Sequence, residues 1–273
     1  MTFESATFRA TAALAAVVLS LLPGPASAND MTTREVTVRI FETPEGERAD
    51  FSDLVLTLLD LSGLDFKKAV LVGADLYGSD LSHANLSGTD LSSTRLDRTT
   101  IIGADFSRAD FTDATLLRPS GFSSTSFDRS EAANFSGAKM VRTRIFARLG
   151  GASFRAADLT DADFSPLSSG ANTISVVPFN ILSGADFTDA VLRGANLEQV
   201  KLEYAIFRNA DVRDVDFRGA DLTGADFTGA DVTGANFSGA TVAKAVLSGA
   251  KGVQAARGLG LAVRPEDSEL KRP

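Results

Sequence analysis

The stretch Ala220–Ala240 reads ADLTGADFTGADVTGANFSGA, and its large apolar residues recur at every fifth position. These residues are Leu222, Phe227, Val232 and Phe237. Five residues advance an α-helix by roughly 140°, so a helix would scatter this set around its axis. A flat strand would send successive members to opposite faces. A backbone that turns a corner every five residues points each of them inward, and four such corners close a square coil that stacks on the next at about 4.8 Å.

The same period extends over two long runs of the chain. From 49 to 118 and from 185 to 249, every central position of the five-residue unit is large and apolar. Two positions before each centre the residue is usually Ala, which is small enough to point inward beside the large side chain. Residues twenty apart should then stack on one another. The expected columns are Phe187, Phe207 and Phe227 in one, and Phe217 and Phe237 in another.

Many of these units share one consensus. ADLYG (74–78), ANLSG (84–88), ADFSR (104–108), ANLEQ (195–199) and ADFTG (225–229) follow the pattern A-(D/N)-(L/F)-x-x. The chain thereby resembles the pentapeptide-repeat family over most of residues 49–250. The resemblance implies an all-β fold, a right-handed quadrilateral β-helix that forms a single elongated domain with short caps.

Both ends of the repeats are expected to be covered, because an exposed coil end is a strand edge. Within residues 29–48, the segment REVTVRIFE (34–42) alternates in a way that predicts a strand over the N-terminal end. Residues 251–273 are predicted to form a C-terminal cap and a polar tail. The central repeats are irregular: the phase should slip after Leu116 to Phe122 and Phe127, and shift again between Ile145 and Phe154.

The largest break is PLSSGANTISVVPFNILSG, residues 166–184. Its prolines and its apolar middle predict a loop that protrudes from one corner of the coil. An apolar loop seldom lies free in water, so we expect it to fold back over the coil; docking of a partner is the alternative. For that alternative the candidate partner-binding residues are Val176, Val177, Phe179 and Ile181.

A second candidate surface is basic. The segment AKMVRTRIFAR (138–148) carries Lys139, Arg142, Arg144 and Arg148 in an otherwise acidic chain. On a square coil these side chains are expected outside and near one another. An ordinary solvated patch is the favoured interpretation, and an anion site or a partner-binding surface is the alternative.

The N-terminus has the pattern of an export signal. Arg9 precedes the apolar run AALAAVVLSLL (12–22), and the breaker PGP is followed by ASA ending at Ala28. Small residues at Ala26 and Ala28 suit signal peptidase, and the apolar run is shorter than the about 20 residues that span a bilayer. Residues 1–28 are therefore predicted to be a signal peptide rather than an uncleaved anchor. The mature chain is expected in the periplasm or outside the cell, with no stable membrane insertion.

The sequence offers little for catalysis. The chain has 273 residues, a net charge of −8 and no cysteine, which argues against non-specific attraction to nucleic acid or anionic lipid and excludes thiol chemistry. The lone His83 falls at an exterior corner without a nucleophile beside it. Asp211, Asp214 and Asp216 are too few for calcium, which takes six to eight oxygens. We therefore expect no enzyme activity, no cofactor and no metal.

Three functions are consistent with this sequence. The first is an exported protein-binding or scaffold module of the cell envelope with an unknown protein partner, no nucleic acid and a homodimer through a coil end as a further option. The resemblance also implies an alternative, a cytosolic regulator that mimics DNA and binds a type II topoisomerase. The export signal and the basic centre oppose that alternative. A third function, a purely structural stalk, is not separable from the first.

Overall fold

The chain winds as a right-handed, four-sided coil in the computed structural model, which describes residues 30–121, 131–167 and 180–259. The residue before each central position forms a parallel bridge with its equivalent one coil later. In the regular runs this equivalent lies twenty residues further along the chain. The predicted quadrilateral β-helix is confirmed.

We name the four faces A to D by their bridge residues, and each corner by the two faces that it joins. Face A carries Asp50, Val70, Asp90, Asp110, Lys139, Asp158, Val191, Asp211, Asp231 and Lys251. Face B carries Val55, Asp75, Arg95, Thr115, Arg144, Asp163, Asn196, Asp216, Asn236 and Arg257. Face C carries Asp60, Asp80, Thr100 and Ser120, then Arg148, Ile181, Lys201, Asp221 and Thr241. Face D carries Asp65, Asn85, Asp105, Asn134, Ser153, Asp186, Ile206, Asp226 and Val246.

Two short strands lie on face B, where the parallel pairing extends over three consecutive residues of each coil. Strand β1 (Thr115–Leu117) pairs in parallel with β2 (Arg144–Phe146). They belong to neighbouring coils, so the pairing holds the middle of the solenoid in register.

The large apolar residues fill the axis as predicted. Leu222 has no exposed surface and Phe227 is 1% exposed. The ring centroids of Phe187 and Phe207 lie 4.9 Å apart, those of Phe207 and Phe227 4.8 Å, and those of Phe217 and Phe237 5.0 Å. The spacing equals the separation of neighbouring strands in a sheet, so both predicted columns are confirmed.

The corners are tight turns whose second corner residue has positive φ. In a regular example, the amide of Ala74 donates to the carbonyl of Leu71 over 3.0 Å. Gly234 shows why glycine is frequent there: its φ is +75°, and a Cβ would stand 2.2 Å from Oδ1 of Asp214 on the preceding coil. Large corner side chains therefore tend to lie over a glycine of the next coil.

The Asp residues before the central position support the turns. Oδ1 of Asp226 accepts hydrogen bonds from the amide of Thr228 over 2.9 Å and from its hydroxyl over 2.5 Å. Oδ1 of Asp60 accepts the same two bonds from Ser62. These carboxylates thus bind local backbone, which is the usual competition of Asp side chains for nearby amides.

The N-terminal end is covered by a helix, so the predicted strand is wrong. Helix α1 spans Thr33–Glu42, and a capping box between Thr32 and Glu35 starts it. Val36 and Ile40, four residues apart, are buried against the first coil, whereas Val38 is 41% exposed. The alternation in this segment fitted a strand as well, and contact with the coil end selected the helical spacing.

Between Ser120 and Ile181, two insertions and one deletion change the twenty-residue spacing of the ladders. The step on face A is 29 residues from Asp110 to Lys139, 19 to Asp158 and 33 to Val191. The predicted slip to Phe122 is wrong, because Ser120 still bridges Thr100 and Gly121 takes the buried central position. Phe122 and Phe127 themselves lie outside the described residues. The predicted shift after Ile145 is present: the next central residue, Leu149, follows four positions later.

Asn180 repairs the coil after the second insertion. Its side chain is 2% exposed; its oxygen accepts from the amide of Ala147, and its amide group donates to the carbonyls of Ile145 and Phe164. Asn180 therefore ties the returning chain to the coil that is one residue short. The loop predicted for 166–184 ends too late in the sequence, because Ile181 already bridges Arg148 and Lys201.

The remaining boundaries fall partly outside the described residues. Arg257 bridges Asn236, so the coil extends at least to Arg257, beyond the predicted boundary at residue 250. Leu259 follows it and is 3% exposed against the core. The predicted signal peptide and the predicted polar tail beyond Leu259 lie outside the described residues.

Candidate functional site

The apolar candidates of the predicted loop divide into two groups. Val176, Val177 and Phe179 lie outside the described residues. Ile181 is half-buried on face C, between Arg148 and Lys201. It is a residue of the coil and not of a protruding loop.

The four basic candidates do not form one patch. Lys139 lies on face A, Arg142 at the A/B corner, Arg144 on face B and Arg148 on face C. Faces A and C are opposite sides of the coil. The sequence placed these residues together because they are neighbours along the chain, but the chain turns two corners between them.

Three of the four are also paired with carboxylates. Lys139 Nζ lies 3.0 Å from Asp110 Oδ2, and Arg142 makes two bonds of 2.7 Å to the carboxylate of Asp113. The Arg142 guanidinium holds the pKa of Asp113 below its usual value. In both pairs the partners belong to successive coils, so the charges stabilise the ladder.

Arg144 has a structural position. Its side chain is 25% exposed, and its guanidinium donates to the carbonyls of Asp163 and Ser165 over 2.9 and 2.7 Å. It also lies 3.3 Å from the carboxylate of Asp163. Arg144 therefore fixes the chain where it leaves the coil, just before the second insertion.

The carboxylates of the C-terminal coils are paired in the same way. Hydrogen bonds from Arg213 lower the pKa of Asp211, burial opposes the shift, and Arg193 lowers it further. For Asp226, burial opposes ionisation, but hydrogen bonds from Thr228 and the Arg208 guanidinium outweigh it and lower its pKa. These acidic ladders are stabilised as anions by groups of the coil itself.

A different set of side chains is left without carboxylate partners in the described ranges. We define the B/C edge as Leu58, Arg98, Arg118 and Arg148. The amide of Leu58 donates to Tyr77, that of Gly78 to Asp97, that of Arg98 to Leu117 and that of Arg118 to Phe146, so one ladder aligns Leu58, Arg98 and Arg118 at the B/C corner. Arg148 lies beside this corner on face C, one coil further on. Leu58 is 73% exposed, and all three arginines are exposed.

The carboxylate nearest in sequence is engaged elsewhere. Asp97 Oδ2 lies 3.2 Å from Arg95 Nε, and Oδ1 accepts from the amide of Leu117 over 3.1 Å. Arg95 also stacks over the ring of Tyr77, with 4.3 Å between guanidinium carbon and ring centroid. Among the residues that the structure describes, Arg98 and Arg118 thus project from successive coils without an ion-paired acid. These two arginines are not apparent as a pair from their neighbours along the chain, because they align only down a twenty-residue column.

The described residues form no cluster of metal-ligating side chains. No three His, Asp or Glu side chains within the described ranges are placed to hold a metal ion. His83 is exposed at the C/D corner, with φ 56°, as its position in the repeat predicted. No helix in the described part of the chain has the length and apolar character needed to cross a bilayer.

The fold and the repeating surface define a pentapeptide-repeat solenoid. The family model for pentapeptide repeats matches residues 47–82, 79–116, 181–219 and 220–251 in eight copies, just over half of the chain. The chain belongs to the pentapeptide-repeat family. The matched segments leave out residues 117–180, where both insertions and the deletion lie.

Solved structures of the same family are similar to this chain. HetL, a pentapeptide repeat protein involved in heterocyst differentiation regulation in the cyanobacterium Nostoc, is 28% identical, covers 84% of this chain and 98% of its own, and gives a TM-score of 0.36. Full-length QnrB1, a plasmid-mediated fluoroquinolone resistance protein, is 21% identical, with coverage of 82% and 93% and a TM-score of 0.26. No curated protein sequence matches the chain.

Proposed function

We propose that this chain is an exported, non-enzymatic pentapeptide-repeat protein that acts as a protein-binding or scaffold module of the cell envelope. The observation that carries the proposal is the construction of the outer faces. Flat ladders of short polar side chains continue from coil to coil, and several of their charges are paired with a charge on a neighbouring coil. Extended repeat surfaces of this kind suit contacts with other proteins.

Export is supported by the sequence of residues 1–28. An apolar run, a Pro-Gly break and small residues at Ala26 and Ala28 form the pattern that signal peptidase cleaves. Cleavage after Ala28 would leave a mature chain that begins at Asn29, one residue before the described coil and its helical cap.

Cell fractionation with N-terminal sequencing tests the export half of the proposal. We expect the protein in the periplasm or medium, with Asn29 at its N-terminus. Recovery of cytosolic protein that keeps residues 1–28 would overturn export. An Ala26→Asp, Ala28→Asp variant, which blocks the cleavage site without touching the coil, should accumulate with its leader retained.

Chemical cross-linking in intact cells tests the binding half. We expect a discrete cross-linked protein that is recovered with the wild-type chain in its own compartment. A protein that purifies and sediments as a free monomer from cross-linked cells at every expression level would contradict a binding or scaffold role.

The cytosolic topoisomerase regulator is the weaker candidate. The carboxylates of face A favour it, since a DNA mimic needs a negative surface. However, Lys139 and Arg213 stand among them, and Asp110 and Asp211 are paired with cations. A supercoiling assay with purified gyrase tests this candidate directly, and inhibition at stoichiometric protein would replace the envelope proposal.

A further inference from the structure

We propose that the B/C edge, made of Leu58, Arg98, Arg118 and Arg148, is the docking surface for an acidic segment of a partner protein. The proposal deepens the protein-binding function above and rests on it. The edge differs from the rest of the described coil in that two arginines without an ion pair occupy the same corner on successive coils. Elsewhere the chain repeatedly pairs a cation with a carboxylate on the adjacent coil, as in Arg95 with Asp75 and Lys201 with Asp221.

At the B/C corner that rule fails twice in succession. Arg98 and Arg118 occupy the same corner position on successive coils, with φ of 59° and 57°, where glycine is favoured. Two guanidinium groups one coil apart repel each other, and each backbone is held in a conformation that costs an ordinary residue free energy. Within the described ranges, neither side chain makes a hydrogen bond or an ion pair that would offset this cost.

The two internal segments outside the described ranges carry no net charge. Residues 122–130 and 168–179 together contain one acidic and one basic residue, Asp128 and Arg129, so their net charge is zero. Arg148 adds a third cation on face C, one coil beyond Arg118. This side of the coil therefore carries a local positive surface in a chain whose net charge is −8.

The chemistry of the edge indicates a carboxylate-bearing protein segment. Arginine pairs with a carboxylate through two parallel hydrogen bonds and is enriched at protein interfaces. Leu58, 73% exposed at the same corner, adds an apolar contact that a polyanion such as nucleic acid would not use. The net negative charge of the chain also repels nucleic acid and anionic lipid at long range, whereas a short acidic segment can dock locally.

Arg108 provides a matched control for Arg98. Arg108 lies on the same coil as Arg98, is exposed, and occupies the equivalent corner position with φ 58°, but at the D/A corner diagonally across the coil. Glycine stands at the same corner on the coils before and after it, at Gly88 and Gly137. Arg108→Glu therefore changes net charge by as much as Arg98→Glu without changing the B/C edge.

Fluorescence anisotropy with a labelled Glu-rich peptide that contains one Leu tests the proposal on the full chain. We expect salt-sensitive binding that Arg98→Glu with Arg118→Glu weakens by at least about tenfold, and Arg108→Glu by less than about twofold. Leu58→Ser should weaken binding of this peptide but not binding of an oligoglutamate peptide that contains no Leu. No binding at about 50 mM salt, or equal loss with Arg108→Glu, would overturn the assignment.

Two further measurements test which class of ligand binds the B/C edge. Binding of inorganic polyphosphate, single-stranded DNA or vesicles of anionic lipid that exceeds peptide binding and is lost in the double variant would overturn an acidic protein segment as the occupant. The cross-linked partner of the wild-type chain should disappear with the double variant. If it cross-links equally well, the protein-binding function stands and the B/C edge is not its site.

Discussion

The regular C-terminal coils and the irregular middle of the molecule share one aromatic core but differ in the number of residues per coil. Between Ile181 and Lys251 the ladders advance by twenty residues, whereas the steps between Asp110 and Val191 are 29, 19 and 33. One column of stacked rings passes through both regions: Phe106, Phe135, Phe154, Phe187, Phe207 and Phe227, with centroids 4.8 to 5.2 Å apart.

The difference shows what the solenoid tolerates. A coil can gain or lose residues at a corner as long as the bridge residues before and after the corner stay in register, because a loop outside the ladder costs little extra entropy. Both insertions and the deletion fall beside face C, so the other faces remain continuous.

The largest effect is expected from the aromatic column. Phe207→Ala in the regular coils and Phe154→Ala in the middle should each lower the free energy of unfolding by about 3–5 kcal/mol, because both rings are fully buried. Chemical denaturation followed by circular dichroism measures both. A much smaller loss for Phe154→Ala would show that the middle relaxes around the void and is not as tightly packed as the regular coils.

Asn180 should matter only where the coil is short. Asn180→Ala leaves the amide of Ala147 and the carbonyls of Ile145 and Phe164 without this partner, at a cost of about 2–4 kcal/mol. The control is Val200→Ala at the equivalent position one coil later, where only apolar volume is lost and about 1–2 kcal/mol is expected. Equal losses would mean that the bonds of Asn180 are not what repairs the ladder.

The pH dependence of the paired carboxylates gives a smaller effect. The pKa values of Asp226 and Asp110 are lowered in the folded protein, so each stabilises the fold above the unfolded Asp pKa of about 3.9, and this contribution is lost as the pH falls through the folded value. Asp226→Asn should therefore cost about 0.5–1 kcal/mol at neutral pH and progressively less below about pH 4.

Asp110→Asn extends the same test across the first insertion. Asp110 binds Thr112 and pairs with Lys139 as Asp226 binds Thr228 and pairs with Arg208. Thermal melts between pH 7 and pH 3 should give parallel curves for the two variants. If the effect of Asp110→Asn on the melting temperature did not depend on pH, the ion pair between Asp110 and Lys139 would not contribute to stability.

The smallest effect is a gain of stability at the B/C edge. Arg118→Glu replaces a repulsion of Arg98 by an attraction across one coil, which should raise the free energy of unfolding by about 0.2–0.5 kcal/mol. Arg108→Glu, whose corner neighbours are Gly88 and Gly137, should leave it unchanged. A lower melting temperature for Arg118→Glu would show that Arg118 supports the coil through a contact of its own.

The regular parts of this fold were predictable residue by residue. The Phe187 column and the inward Ala positions follow from the five-residue period, since each unit meets the same surroundings as the unit before it. The middle was less predictable. Gly121 occupies the central position that was expected for Phe122. The side-chain pattern suggested a change of register there, but the bridge from Thr100 to Ser120 keeps the register.

The candidate surfaces show the same limit. Lys139 and Arg148 are nine positions apart in sequence, yet they lie on opposite faces, while Arg98 and Arg118 are twenty apart and stand on adjacent coils. Proximity along the chain is a poor guide in a solenoid, where the neighbours across a ladder are a full turn away. Pairing with carboxylates was also invisible, because it depends on which coil each cation faces.

The sequence by itself determined the four-sided coil, since only a corner at every fifth residue buries Leu222, Phe227 and their equivalents. The tertiary structure decided the helical form of the cap and which cations are neutralised. Both depend on contacts between segments distant in sequence: Val36 and Ile40 against the first coil, and Arg142 against Asp113 on the coil before it. A local pattern specifies a period, but the partner of a charge or of an apolar face is fixed only when the coils are stacked.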